Sequence, residues 1–136
     1  MQDKAFLDSN ILIYLYTEDD DSKRSIAQLK LNENICITSI QALNETSNVL
    51  GRKFSLNHTE VKALLDNIET VCDEVLLTNR KTIDNALVLT DRYGFSFFDS
   101  LMLSSALEGG CNVIYSEDMS DGQVIEKTLK IVNPFK

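Results

Sequence analysis

The chain has 136 residues, of which 43% are hydrophobic and 25% are charged, and its formal net charge at pH 7 is −8. This length supports one well-buried core, so we expect a single domain over residues 1–136. No apolar run approaches the roughly 18 residues of a membrane span, and the amino terminus lacks the order of a secretory signal. The acidic balance argues against a broad basic surface for nucleic acid and favours a site that collects cations, or a basic protein partner.

Hydrophobic patterning predicts strands that alternate with helices along the chain. Strands are expected over residues 4–8, 33–38, 73–78 and 112–117, with a fifth candidate over 128–133. Helices are expected over residues 10–16, 22–31, 38–54, 58–72, 80–93 and 96–110. Alternation of this kind is typical of a parallel sheet covered on both faces. We therefore predict the α/β class, a three-layer α/β/α domain with a central, mainly parallel sheet of four or five strands.

Several helix ends carry recognisable signals. Thr38 and Gln41 have the spacing of a capping box at the start of the third helix. Asn57 is expected to cap the next helix, and Gly94 to end the helix over residues 80–93.

The cysteines and the histidine do not favour nucleophilic catalysis. Cys36, Cys72 and Cys111 are odd in number and far apart, which is typical of structural thiols in a reducing cytoplasm. His58 is the only histidine, and it begins a predicted helix, where a solvated side chain is the ordinary interpretation. A catalytic triad would have to use this residue, so triads are set aside.

Two acidic residues follow predicted strands. Asp8 lies between the apolar runs AFL and NILIYLY, where a buried carboxylate is costly without a partner. Asp118 follows the fourth predicted strand. In open α/β sheets ligands bind at the carboxyl ends of the strands. Two carboxylates brought to one edge by separate strands form the arrangement that a hard cation needs.

Two further acids lie on predicted helices. Asp99 belongs to SFFDSLMLSSAL, which is apolar nearly all round, so we expect its side chain to face packed structure. The alternative is a first-turn acid in a capping box with Ser96. Glu45 lies opposite the apolar face of its helix, and periodicity alone predicts a solvated position. Arg52 is on the same face as Glu45 and is suited to a phosphate if Glu45 lines a site.

Other polar residues flank the strand-end acids. Ser9 and Asn10 either hydrogen-bond the site carboxylates or cap the first helix. Glu117 and Asp121 flank Asp118, and either is able to join a site from a loop.

Four stretches in order, FLDSNILIY, ALNET, YGFSFFDSLMLSSAL and VIYSEDM, give the chain its resemblance to the PIN-domain ribonucleases, most of all the VapC-type toxins of bacterial toxin–antitoxin pairs. The likeness covers nearly the whole chain. It implies that Asp8, Glu45, Asp99 and Asp118 form the catalytic, metal-binding quartet. Many relatives continue the last motif with a short basic stretch and a Phe, whereas this chain reads SEDMSDGQ. The fourth ligand is therefore open among Glu117, Asp118 and Asp121, with Asp118 preferred.

The resemblance also implies a reaction and partners. Four clustered carboxylates need cations to offset their repulsion, and Mg²⁺ or Mn²⁺ suits all-oxygen ligands. The implied activity is hydrolysis of RNA to a 5′-phosphate and a 3′-hydroxyl. Candidate substrate contacts are Arg52, Lys53, Ser9 and Asn10, followed by Lys23 and Arg24. The implied partners are a cognate antitoxin and a second copy of the chain in a homodimer.

Three other classes of protein share features with this sequence. A haloacid-dehalogenase-like phosphatase requires a second Asp two positions after the first, where this chain has Asn10. A phosphorelay receiver requires a Lys after a late strand, and NVIYSED has none. The remaining alternative is a catalytically inactive PIN-like binding or scaffolding module.

Overall fold

A computed structural model describes residues 2–136. Within this range the strands are β1 (Lys4–Leu7), β2 (Ile35–Ser39), β3 (Glu74–Leu76), β4 (Val113–Tyr115), β5 (Val124–Ile125) and β6 (Leu129–Val132). The helices are α1 (Ser9–Tyr16), α2 (Asp21–Glu33), α3 (Ile40–Arg52), α4 (His58–Val71), α5 (Arg80–Tyr93) and α6 (Phe97–Glu108).

All of these strands join one sheet in the order β3-β2-β1-β4-β6-β5. Every neighbouring pair is parallel except β5 and β6. The chain steps outward from β1 to β2 and β3, and then crosses to β4 on the other side of β1. Because such crossovers are right-handed, α1 to α4 cover one face and α5 and α6 cover the other.

The predicted three-layer α/β/α fold with a mainly parallel sheet is confirmed. The sheet has six strands rather than four or five, since β5 contributes two residues antiparallel to β6. A strand of that length has too few residues to show an alternating pattern.

The central strands lie in the core because helices cover both of their faces. Ala5, Phe6 and Leu7 of β1 are fully buried, and Ile114 of β4 is buried between them and β6. Strands buried on both faces are continuous apolar runs. The first polar residue after the buried part of β1 is Asp8, at the carboxyl edge of the sheet. No helix among residues 2–136 is at once long enough and apolar enough to cross a bilayer.

The predicted helix ends are confirmed in two places and wrong in one. Asn57 forms a capping box at the start of α4, and Gly94 ends α5 in the left-handed conformation with φ 78°. The α3 cap is Ser39, whose hydroxyl accepts the N–H of Ala42 at 3.2 Å. Thr38 remains in β2, where its hydroxyl donates to the Leu7 carbonyl at 2.8 Å.

Candidate active site

The site begins at the carboxyl end of β1, where Asp8 is 4% exposed. Asp8 is the N-cap of α1, and its Oδ1 accepts the N–H of Ser9 at 2.8 Å. Its Oδ2 accepts the hydroxyl of Ser116 at 2.7 Å. Both carboxylate oxygens therefore have hydrogen-bond donors, but each donor is neutral.

The environment of Asp8 disfavours its negative charge. Burial raises its pKa from 3.8 to about 6, the hydrogen bonds from Ser116 and Ser9 oppose this, and the charges of Glu45 and Asp99 add to it. Desolvation and like charges both stabilise the protonated form. A cation beside this carboxylate would reverse that balance.

Glu45 lies in the second turn of α3 and is half-buried, so the predicted solvated position is wrong. Its Oε1 accepts the hydroxyl of Ser9 at 3.1 Å, and its Oε2 accepts the amide of Gln41 at 3.2 Å. Periodicity missed this because the polar Thr46 is part of the buried face of α3, with its hydroxyl satisfied by the Ala42 carbonyl at 2.7 Å. Helix α1 packs against this part of α3 and brings Ser9 to Glu45.

Asp99 lies in the first turn of α6 and is half-buried. Its backbone N–H donates to the hydroxyl of Ser96, the N-cap, at 3.2 Å. Burial raises the pKa of Asp99, hydrogen bonding with Ser96 lowers it, and the charge of Asp118 raises it further. A first-turn acid beside the Ser96 cap and an acid that faces packed structure are therefore compatible interpretations of Asp99. The start of α6 lies near enough to Asp8 and Asp118 for their charges to interact with Asp99.

Asp118 is exposed in the turn that follows β4. Its Oδ2 accepts the side-chain amide of Asn10 at 3.0 Å. Its backbone N–H donates to Ser116 Oγ at 3.3 Å, the same hydroxyl that donates to Asp8. Ser116 therefore joins the strand ends of β1 and β4, a role that sequence reasoning missed. Its place between a buried strand and the SED acids was the available signal.

The two competing candidates for the fourth ligand have other contacts. The Oε1 atom of Glu117 accepts the Tyr14 hydroxyl at 2.7 Å, and its Oε2 forms an ion pair with Lys23. The Oδ1 atom of Asp121 accepts the N–H of Asn133 at 2.8 Å. Among the described residues, neither shares a hydrogen-bond partner with Asp8, whereas Asp118 does through Ser116.

The basic residues singled out in the sequence lie apart from the acids. Arg52 and Lys53 are exposed at the end of α3, about 10 Å along the helix axis from Glu45 at roughly 1.5 Å per residue. Lys23 contacts Glu117 instead of being free for a phosphate, and Arg24 pairs with Asp21 at 3.4 Å. Of the predicted substrate contacts, Ser9 and Asn10 contact carboxylates of the site.

A divalent metal fits the donor chemistry of this edge. Asp8, Glu45, Asp99 and Asp118 offer only oxygen ligands, which Mg²⁺ and Mn²⁺ prefer. None of them forms a salt bridge within residues 2–136. In the same part of the chain, no three His, Cys, Asp or Glu side chains converge closely enough to ligate one ion. The charges of Glu45 and Asp99 act on Asp8, and that of Asp118 acts on Asp99. The acids are therefore neighbours without basic partners in this range, but they lack the spacing of a closed coordination shell.

The thiols are poor candidates for chemistry. Cys36, Cys72 and Cys111 are all buried and free. Burial raises the pKa of Cys36 and of Cys111 to about 12. A nucleophilic or metal-binding cysteine needs the thiolate form, so these side chains act as small apolar groups of the core.

Comparison with known proteins gives the class of this chain. The family model of the PIN domain matches residues 5–120. The match covers most of the chain, which belongs to the PIN domain family, and PIN domains are generally nucleases. The resemblance noted from the sequence is thereby confirmed. A search of curated proteins found no match.

Solved structures show the same fold at low sequence identity. Mycobacterium tuberculosis VapC20, a toxin that cleaves the sarcin–ricin loop, is 21% identical with a TM-score of 0.69, over 84% of this chain and 89% of that one. A chain of a Klebsiella pneumoniae toxin–antitoxin complex is 20% identical with a TM-score of 0.69, over 96% and 97%. A chain of Rickettsia felis VapBC2, bound to promoter DNA, is 18% identical with a TM-score of 0.67, over 96% and 99%.

Proposed function

We propose that this protein is a metal-dependent endoribonuclease that hydrolyses RNA phosphodiester bonds as the toxin component of a toxin–antitoxin pair. The observation that carries the proposal is the set of contacts and charge effects that links Asp8 to Glu45, Asp99 and Asp118 in a PIN domain. None of these acids has a salt-bridge partner within residues 2–136. Similarity to toxins and to toxin–antitoxin complexes supports the biological role.

Asp8, Glu45, Asp99 and Asp118 would hold Mg²⁺ or Mn²⁺. When bound, such an ion supplies an activated water and neutralises charge on the scissile phosphate. The chain itself orients the carboxylates with neutral donors. Ser9 and Ser116 fix Asp8, Ser9 and Gln41 fix Glu45, and Asn10 fixes Asp118. These hydrogen bonds orient the carboxylates without neutralising their negative charge, so the carboxylates still attract a cation.

The net charge of −8 is compatible with an RNA substrate under this proposal. The carboxylates would hold the metal to which the reacting phosphate binds, so only a few basic residues, such as Arg52 and Lys53, would be needed to position the flanking strand. The same net negative charge suits a basic antitoxin as partner. We further propose that the protein is cytoplasmic and forms a homodimer.

The test is cleavage of a mixed RNA pool in Mg²⁺, Mn²⁺ or EDTA by the wild type, Asp8→Asn and Asp99→Asn. We expect metal-dependent cutting to fall by at least about 100-fold in both variants, the scale seen when one electrostatic group is lost from a catalytic site. Asp66→Asn is the matched control, because Asp66 is an exposed acid of α4 paired with Lys62 at 3.0 Å.

Circular dichroism of each variant would establish that the fold is retained. Cutting in EDTA, or equal cutting by the wild type and both site variants, would overturn the proposal. A wild type that cuts no RNA with either metal would favour the alternative, a PIN-like binding module.

A further inference from the structure

A second polar cluster lies beside the candidate active site, formed by Tyr14 of α1, Lys23 of α2, Glu117 after β4 and Phe135 near the end of the chain. We call it the Lys23 cluster. Lys23 Nζ forms an ion pair with Glu117 and donates to the Tyr14 hydroxyl at 3.3 Å. It also lies 5.0 Å and 5.4 Å from the ring centroids of Tyr14 and Phe135. The Tyr14 hydroxyl donates to Glu117 at 2.7 Å.

This ion pair differs from the other salt bridges of residues 2–136. Its side chains are 31% and 24% exposed and come from residues 94 apart in the chain. Four of the other pairs join residues three or four apart on one helix. The fifth, Arg92–Glu126, also joins distant residues, but its side chains are more exposed, at 54% and 35%. Exposed pairs of that kind contribute little, whereas a charge-assisted contact with added hydrogen bonds and two aromatic rings fixes a geometry.

The cluster is connected to the carboxylates through Asn10. The backbone N–H of Glu117 donates to Asn10 Oδ1 at 3.2 Å. The amide of the same Asn10 donates to Asp118 Oδ2 at 3.0 Å. Glu117 therefore has its side chain bound by Lys23 and Tyr14 and its backbone bound by Asn10. The carboxylate of the next residue, Asp118, accepts a hydrogen bond from the amide nitrogen of that same side chain.

We propose that Lys23 is a positioning residue that holds Glu117 away from the site and fixes the loop so that Asp118 is the carboxylate presented to the metal. The inference rests on the proposed function for the identity of the metal site. Lys23 does not touch the substrate or the ion in this role. It acts through Glu117 and Asn10.

The experiment is calorimetric titration of Mn²⁺ into the metal-free protein, without RNA. Partners of metal ligands typically change affinity by about 10 to 100-fold when removed, so Lys23→Met is expected to weaken Mn²⁺ binding about tenfold. Lys23→Arg keeps the charge and the reach and is expected to restore most of the affinity. Glu117→Ala removes the anchor from the other side and is expected to weaken binding as well.

Lys62→Met is the matched control, since it breaks an exposed lysine–carboxylate pair on α4. It is expected to leave Mn²⁺ affinity unchanged. A purely structural Lys23 would lower the melting temperature without changing the affinity of the folded protein. In a cleavage assay, positioning predicts a higher metal concentration for half-maximal rate with kcat recovered at saturation. Tyr14→Phe, which removes one hydroxyl, is a milder second variant if Lys23→Met fails to fold.

Wild-type affinity in Lys23→Met would overturn the inference. A wild type that binds no Mn²⁺ would overturn it too. Mn²⁺ binding that weakens in Lys23→Met while no variant cuts RNA would overturn the proposed function and leave the inference standing.

Discussion

Two adjacent acidic residues after β4, Glu117 and Asp118, differ in whether a basic side chain pairs with them. Glu117 is paired with Lys23 and accepts the Tyr14 hydroxyl. The carboxylate of Asp118, one residue further on, has only the neutral amide of Asn10 as a partner within residues 2–136. The same contrast holds for the larger regions, because the Lys23 cluster contains its own cation and the carboxylates around Asp8 contain none within residues 2–136.

The difference separates an acid that is paired within the fold from the acids that we propose bind a metal. A lysine placed beside Asp8 would offset both the burial and the repulsion that raise its pKa. The lysine lies beside Glu117 instead. A basic side chain is therefore present near this edge of the sheet, but it does not pair with Asp8. Local violations of stability of this kind are expected at functional sites.

The largest expected effect tests whether Asp8 is destabilising when no metal is present. The Asp8 pKa is about 6 in the folded state against an ordinary 3.8, so between these values the folded state binds more protons than the unfolded state. Stability therefore falls as pH rises from about 4 to about 6 and stays low above that. At about 1.4 kcal/mol for each pKa unit, the cost at pH 7.5 is at most about 3 kcal/mol.

Asp8→Asn removes this charge and keeps a good N-cap. In EDTA at pH 7.5 we expect the variant to be more stable than the wild type by up to about 3 kcal/mol, with the gap closing near pH 4. Urea unfolding at several pH values measures it. Added Mn²⁺ should narrow the gap, because a ligand that binds only the folded wild type stabilises it alone. An Asp8→Asn protein less stable than the wild type at pH 7.5 would contradict the comparison.

The strand-end acids were predictable because the signal is local. An apolar run that stops at Asp8, or at the SED segment that contains Asp118, indicates a buried strand and its polar end. Parallel strands bring such ends to one edge of the sheet. Asn57 and Gly94 were predictable for a similar reason, since caps depend on residues within one helical turn. The order of elements then determined the class of fold.

The pairings around the acids were not predictable because they join distant parts of the chain. Lys23 and Glu117 are 94 residues apart, and each resembles an ordinary surface charge in its own segment. Glu45 appeared solvated because the contact with Ser9 depends on how α1 packs on α3. The roles of Asn10 and Ser116 likewise require β1 and β4 to be neighbours.

The next largest effect concerns how the third acid is held. Asp99 has no cluster like that of Lys23, but α6 is fixed on α5 by a polar seam beside it. The Thr90 hydroxyl donates to the buried Ser100 at 2.8 Å, and Ser104 donates to the Thr82 carbonyl at 2.9 Å. Thr90→Val leaves Ser100 without this partner, so we expect a loss of about 1 to 2 kcal/mol in unfolding free energy.

Thr70→Val is the matched control for the seam. The Thr70 hydroxyl donates to the Asp66 carbonyl at 3.0 Å on the exposed side of α4, where water is able to replace it, and the expected change is within about 0.5 kcal/mol. Denaturant titration of both variants gives the comparison. A Thr90→Val protein as stable as Thr70→Val would mean that packing alone holds α6, and that the first turn carrying Asp99 does not depend on the seam.

The smallest effect is expected at Arg52, because it is exposed and lies beyond the acids on α3. If it positions the RNA strand, Arg52→Ala should raise KM about two- to threefold, leave kcat unchanged and reduce the salt slope of binding by about 1. Lys130→Ala is the control, since Lys130 is exposed and pairs in register with the first residue of β4, toward the opposite edge of the sheet. A large loss of kcat in Arg52→Ala would contradict the contrast between the paired Glu117 and the unpaired acids. It would mean that Arg52 supplies positive charge to the carboxylates of the site.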